Sequence, residues 1–577
     1  MSNKLSVDQR TIGSLFQDKK SDFIIPDYQR PYAWTETQCQ TLWDDLFEFA
    51  FPWQNKDNFD PSEEYYLWPI VTFLNENKQL EVIDWQQRLT TLMLLLRAFY
   101  DSFLNAKDED SISTRKEIEK CIRKTNEFQK PIFESLKIDS EVATDADKDE
   151  FMDILKTWNA DKRESIYAVN FRFFQWKIKT FREEYPMYVA HFPIRILNNC
   201  ILLPIEADNQ NTALRIFSTL NDRWLPLSDA DIFKAQLYNY YKLWNVTWKD
   251  KNDFIDKWKE LEESCREIDI SMDELFTRYM YYERAKKGIK LSTTEALRKF
   301  YEKDWYALLK NDSILDNLTS LINFWKDVEN QNEDKFSNKV LRELFILNYA
   351  PNGMRIYFLS VYFMQNKNNE DWLDNDKLFE FLRKAIWFIF AYAITNPWVN
   401  ALRTPVYDEM INIVNGKDVT FDKYRFHVES LKANLINYEF LNQRPTTKSI
   451  LTWWAFSNDK QPLINKKDIF EIEHIFAKNR LLQDSLVDKR NIESIWNKVL
   501  LEKRINIGAS DFSFEVKKLF YEQGAKKPSP QKEWTQIVEL KELMKKDDFT
   551  ESDIEKRKTE IIYGFVDYLK DNDLLEN

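Results

Sequence analysis

Two hydrophobic periods alternate along the first hundred residues. Ile24 to Trp34 (IIPDYQRPYAW) is apolar but broken by Pro26 and Pro31, each of which disfavours helix at the residue before it, so an extended segment is expected. Thr35 and Gln38 have capping-box spacing, and Cys39, Leu42, Trp43 and Leu46 then fall on one helical face. Tyr65 to Leu74 and Gln79 to Ile83 read as two strands around a turn at Asn75 to Lys78, followed by a helix from about Gln86 to Tyr100. From about 110 to 200 the pattern is charged and helical, except that Arg195 to Ile205 is apolar enough for a buried strand. Ser228 and Asp231 open a helix over Ser228 to Trp244. Residues 245 to about 430 carry amphipathic helical periods rich in Phe, Tyr and Trp, without internal repeats, and 431–577 returns to short strands followed by helices.

These elements predict a helix-rich α+β chain of several domains, divided as 1–244, 245–430 and 431–577. A length of 577 residues exceeds one hydrophobic core, and 44% hydrophobic with 31% charged residues is a globular balance. The amino terminus MSNKLSVDQR lacks the apolar core of a leader, and Ala385 to Ile394 is too short to span a bilayer, so a cytoplasmic, membrane-free protein is expected. Cys39, Cys121, Cys200 and Cys265 form no CxxC pair and read as buried thiols. The net charge of -13 argues against a protein that coats nucleic acid nonspecifically through phosphate neutralisation. Within Phe476 to Arg504, however, Lys478, Arg480, Lys489, Arg490, Lys498, Lys503 and Arg504 outnumber Asp484, Asp488, Glu493 and Glu502.

Polar chemistry concentrates at both ends. Leu80 to Leu89 (LEVIDWQQRL) runs strand, turn, helix; Asp84 can cap that helix with Gln87 at its third position, and Arg88 adds a forked cation suited to phosphate. The same features also describe an ordinary capped helix with a surface arginine. Near the other end, IFEIEHIFAKN carries Glu473 and His474 on a strand, and IWNKVLLEKRINIGAS follows with Asn497 and Asn506. Histidine, two oxygen ligands and an orienting amide are the parts needed to activate water beside a divalent cation. His191 and His427, without such company, read as structural.

Several motifs together carry a resemblance. IPDYQRPYAW, then IDWQQRLTTL, then Phe217, Leu220, Asn221, Leu227, Asp231 and Lys234 look like the N-terminal domain of GmrSD-type bacterial defence proteins, with their IPxYQRxYxW and DGQQR signatures. The C-terminal stretch is similar to the HNH domain of the same family, whose pattern is EHIxPxN followed by GNLxLLxxxxN; Ala477 replaces its proline. The resemblance implies a ParB/sulfiredoxin-like α/β domain that binds and hydrolyses nucleoside triphosphate through Gln29, Arg30, Asp84, Gln86, Gln87, Arg88, Asn221, Asp231 and Lys234. It also implies an HNH (ββα-metal) domain in which His474 is the general base and Asn497 supports it. Glu473 and Asn506 would hold a divalent metal such as Mg. Asp231 has a competing role as the capping-box acid.

Composition adds an anomaly. The chain has 7 glycines and 20 tryptophans, where ordinary usage of about 7% glycine would give roughly 40 glycines. Trp85, Trp224 and Trp496 each stand where a family motif has glycine, at turns where a bulky side chain obstructs. Trp34 and Trp43 stand where the family has aromatics. The pattern predicts glycine at 85, 224 and 496 in the living protein, written as tryptophan because UGA encodes glycine in some bacterial lineages; UGG codons there would refute it. A chain made with Trp85 is expected to bind nucleotide weakly or not at all.

The reading that joins both ends is an NTP-regulated, metal-dependent HNH endonuclease of a type IV restriction or related anti-phage system, acting on modified phage DNA, with homo-oligomerisation left open. The rival is a catalytically silent DNA or nucleotide sensor of the same fold. An all-helical scaffold fits the middle region but leaves the polar motifs unexplained.

Overall fold

A computed structural model describes residues 6–7, 9–54, 56–83, 85–142, 147–157, 164–210, 212–213, 216, 228–243, 248–292, 295–311, 313–398, 400–466, 468–482, 486–509, 511–523 and 534–576. The chain forms two compact units, Met1–Lys259 and Glu260–Asn577. Among the described residues no helix is long and apolar enough to cross a membrane.

The first unit is built on a mixed sheet. Its strands are β1 (Ser6–Val7), β2 (Arg10–Thr11), β3 (Phe23–Ile25), β4 (Tyr65–Leu74), β5 (Leu80–Val82), β8 (Ile138–Ser140) and β9 (Cys200–Ala207), with β6 (Arg123–Thr125) and β7 (Pro131–Leu136) forming a separate antiparallel pair. The sheet order is β1-β9-β4-β5-β3-β8, with β2 also on β9; β4 and β5 are antiparallel, whereas β3 is parallel to both β5 and β8. The hairpin of β4 and β5 follows its sequence pattern, turning where Lys78 takes φ 61°. Thr35 and Gln38 form the expected capping box of the helix Glu36–Ala50, whose Cys39, Leu42, Trp43 and Leu46 are buried. The helix Gln86–Ser102 lies in the middle of the core, with Leu89 and every residue from Leu92 to Leu96 at most 2% exposed.

Two expectations need correction. Arg195 to Ile205 is not all strand: the helix His191–Asn199 supplies its first part and β9 begins at Cys200. An apolar run of this length fits either element, and the register of β9 on β4 decides between them. The region 110–200 also contains β6, β7 and β8, too short and too charged to show alternation.

The second unit is helical on both sides of one hairpin. The helix Asn375–Thr395 packs against Asn338–Asn348, Pro445–Phe456 and Glu551–Asp571. Trp387 from the first of these meets Trp453 at 4.7 Å between ring centroids and stacks on Tyr568 at 4.5 Å. This aromatic core seats Pro445–Phe456, on which the hairpin of β10 (Phe470–His474) and β11 (Lys498–Glu502) rests through β11. Of the boundaries read from the sequence, 244/245 lies outside the described residues and 430/431 falls inside the helix Val428–Asn437. All four cysteines are free and buried, and burial pushes the thiols of Cys39, Cys121 and Cys265 up to about 12.

Backbone conformation bears on the tryptophans. Trp53, Trp85 and Trp305 have φ of 57°, 85° and 58°, the left-handed region that glycine enters freely and a bulky side chain does not. Trp224 lies outside the described residues, and Trp496 is not among the positive-φ residues, so its backbone does not itself require glycine. Trp53 and Trp305 are 92% and 78% exposed, so no burial compensates the strain. Trp53→Gly and Trp305→Gly are each expected to stabilise the protein by about 1 kcal/mol, read as a higher urea midpoint. A lower midpoint in both would contradict the glycine assignment there.

Candidate active site

At the amino-terminal cluster the motif residues fasten one segment to another. Gln29 donates through Nε2 to the Ile83 carbonyl at 3.2 Å, and Gln86 donates to the Arg30 carbonyl at 2.7 Å. Gln87 accepts from the Ala33 N–H at 2.7 Å and donates to the Pro31 carbonyl at 3.1 Å. All three glutamines are buried, so these bonds hold the proline-rich segment against the helix start in a low-dielectric setting where an unmade bond is costly. The helix cap also differs from the expected one. Trp85, not Asp84, occupies the cap position, with no side-chain cap bond, and Asp84 itself lies outside the described residues.

Arg30 and Arg88 are partly exposed beside this junction. Asp231 and Ser228 exchange the two bonds of a capping box, 3.3 and 3.2 Å, at the start of the helix Asp229–Leu243. That helix reaches the same turn, since Tyr238 donates to Asp27 Oδ2 at 2.8 Å and its ring lies 5.4 Å from that of Tyr28. Lys234, 1% exposed, lies over the Trp258 ring. Asn221 is outside the described residues. The described members of the sequence-derived set therefore come from three elements that meet around residues 26–33. The glutamines hold the frame, and the arginines lie partly open.

At the other end, β10 and β11 pair antiparallel, with His474 opposite Lys498 and Glu473 opposite Val499, and the helix Lys503–Ala509 follows β11 directly. Strand alternation sends the two neighbours to different partners. On one side, Glu473 Oε1 receives Lys517 Nζ at 2.6 Å and the Tyr521 hydroxyl at 3.2 Å; the Lys517 ammonium also donates to the His474 carbonyl at 2.5 Å. Burial pushes the Glu473 carboxyl up from its usual range, with Lys517 and Tyr521 opposing. Asn506 donates to Glu471 Oε2 at 2.8 Å, while its own carbonyl oxygen is sealed from solvent with no donor.

On the other side, His474 Nε2 lies 3.3 Å from Glu493 Oε2. The same oxygen receives Lys498 Nζ, fully buried, at 2.9 Å, and Lys478 pairs with Oε1. Burial, then Lys498, push the imidazole down to about 4 against the pull of Glu493, so it is neutral at physiological pH. Burial alone would raise Glu493, but Lys478, Lys498 and His474 more than offset it and bring it to about 2.

Asn497, 0% exposed, does not bond the imidazole. Its Oδ1 accepts the Phe476 N–H at 2.7 Å and its Nδ2 donates to the Phe476 and Ile492 carbonyls, both at 3.0 Å. It thereby ties the residue two places after His474 to the residue before Glu493. His427 is structural, its Nδ1 accepting the Ser430 N–H at 3.4 Å as a helix cap.

Sequence reading missed Glu471, Glu493, Lys517 and Tyr521. Lys517 and Tyr521 are four apart on one helix, a spacing that could have placed both on one face; no comparable pattern marks Glu493. Much of the net positive charge seen between Phe476 and Arg504 is paired: Arg480 with Asp548, Arg490 with Asp488, and Lys478 and Lys498 with Glu493. Among the described residues no three His, Cys, Asp or Glu side chains converge as a ready metal centre.

Two family models match. Residues 12–238 match the one described as GmrSD restriction endonuclease, N-terminal domain, and residues 427–563 match the one described as GmrSD restriction endonucleases, C-terminal domain. Together they cover more than half of the chain. No curated protein matches it.

Proposed function

Since this chain belongs to the GmrSD restriction endonuclease family and is thus a nuclease of restriction and defence, we propose that it cuts modified foreign DNA in a reaction needing a divalent metal and licensed by nucleoside triphosphate. The observation that carries the reading is the imidazole of His474, hydrogen-bonded at one nitrogen, at the end of a two-stranded hairpin that runs straight into a helix, with the carboxylates of Glu471 and Glu473 and the amide of Asn506 on the opposite face of the strand. This arrangement supports an HNH (ββα-metal) assignment.

The fit to a hard cation rests on Asn506, whose buried carbonyl oxygen lacks a donor, and on Glu473, whose two side-chain donors both use Oε1. Glu473 and Asn506 would hold the metal through oxygen, as Mg requires. The metal would screen the phosphodiester and stabilise the leaving oxygen. His474, neutral and hydrogen-bonded at one nitrogen, takes the proton of the attacking water at the other. Asn497 holds the backbone on both sides of this pair, and Lys517 holds Glu473 against the His474 carbonyl.

The amino-terminal unit would bind the triphosphate in a ParB/sulfiredoxin-like domain. Arg30 and Arg88 would meet phosphate there, on the frame held by Gln29, Gln86 and Gln87. Asp84, Asn221, Asp231 and Lys234 complete the proposed set. The decisive experiment digests modified and plain phage DNA with the full chain, with and without Mg and triphosphate. Cleavage confined to modified DNA and dependent on both additions is expected. DNA binding with no cleavage under any of these conditions favours the silent sensor.

A further inference from the structure

Taking His474 as the base, we infer that Glu493 is its positioning residue: the carboxylate accepts the Nε2–H of the imidazole and leaves Nδ1 as the nitrogen that takes the proton. An ionised carboxylate has only acceptors, so an imidazole nitrogen within hydrogen-bond distance of it must present its N–H there. The ring then has a single lone pair to offer, at Nδ1. No hydrogen bond within the described residues reaches Nδ1, and it is not among the sealed polar atoms.

Glu493 is itself held in place. Lys498, fully buried, anchors on the Phe440 carbonyl at 2.7 Å and on Glu493 Oε2 at 2.9 Å, and Lys478 takes Oε1. The charged groups facing the imidazole are thus Glu493, Lys498 and Lys478, while the Lys517 ammonium reaches the backbone carbonyl of the same residue. Asn497 ties Phe476 to Ile492, fixing the separation of the chain just after His474 from the chain just before Glu493. The order of dependence is lysines to carboxylate, carboxylate to imidazole, with the asparagine clamping the backbone beneath both. A group that fixes tautomer and ring orientation acts through the base rather than on the substrate.

With three histidines in the chain, the imidazoles can be read one by one in the full-length protein labelled with 15N-histidine. At neutral pH and without metal, His474 is expected entirely as the Nε2–H tautomer, with a downfield, slowly exchanging Hε2 proton. In Glu493→Gln, which keeps an oxygen for Lys498, that proton is expected to move upfield and exchange faster. The kcat for plasmid nicking in Mg should then fall about tenfold or more, with KM unchanged. Glu493→Asp should restore part of both signals. A wild-type His474 in the Nδ1–H form overturns the inference, as does a Glu493→Gln variant with unaltered Hε2 and kcat. The tautomer reading does not depend on activity. A wild type with the expected Hε2 proton but no nicking therefore removes the nuclease reading, and with it the catalytic role of Glu493, while the hydrogen bond itself stands.

Discussion

His474→Ala is expected to lower divalent-dependent DNA nicking by about 10²- to 10⁴-fold while leaving the fold intact. The imidazole is neutral at physiological pH and placed to accept a proton. Burial and Lys498 keep it unprotonated, and Glu493 engages just one of its nitrogens. Its removal costs little structurally, because Glu493 retains Lys498 and Lys478, and Asn497 makes its bonds to Phe476 and Ile492 without the ring. Supercoiled plasmid, Mg and a gel are enough to read the rate, with a thermal melt of the same preparation as the control for folding. Nicking at the wild-type rate would place the base elsewhere in the chain. A variant that loses both cleavage and its melting transition would show that the ring is structural.

Lys517→Met is expected to cost about 3–5 kcal/mol of stability, the usual penalty for removing one partner of a buried ion pair. The Lys517 and Glu473 side chains are 1% and 8% exposed and 2.6 Å apart, so the carboxylate left behind has no water to replace the ammonium. Tyr521 supplies one neutral donor, which cannot match a charge. Part of the penalty is independent of Glu473, because the ammonium also satisfies the His474 carbonyl. The double variant Glu473→Gln/Lys517→Met should therefore recover a portion of the loss but not all of it. Urea denaturation of the two single variants and the double one gives the coupling directly. Additive effects would mean that the pair contributes nothing beyond its separate members.

These two expectations divide along what could be read from residue order. The capping boxes at Thr35 and Ser228, the hairpin of β4 and β5, and the buried face of Glu36–Ala50 were legible because each is set by contacts within a few residues. The strands β6, β7 and β8 were not, since three to six residues with mixed polarity show no period until a neighbour pairs with them. His474 stood out because histidine is rare here and this one sits beside an acid, before two asparagines. The role of Gln87 did not stand out. An amide next to a positively charged residue, Arg88, suggests a ligand contact, and only the folded chain shows it bonded to Pro31 and Ala33, more than fifty residues away.

Local order along the chain was thus sufficient for the kinds of element, for the residues able to do acid-base chemistry, and for the suspicion about tryptophan at glycine sites. The left-handed backbone at Trp53 and Trp305 extends that suspicion to positions that no motif marks. Tertiary structure alone decided which nitrogen of His474 is engaged, which oxygen of Glu473 is occupied, and that Asn497 clamps two loops instead of touching the base. The reason is one of range. Caps and turns are satisfied within one helical turn of sequence, whereas a buried charge must find its counter-charge wherever packing brings one within about 4 Å, and sequence distance carries no information about that.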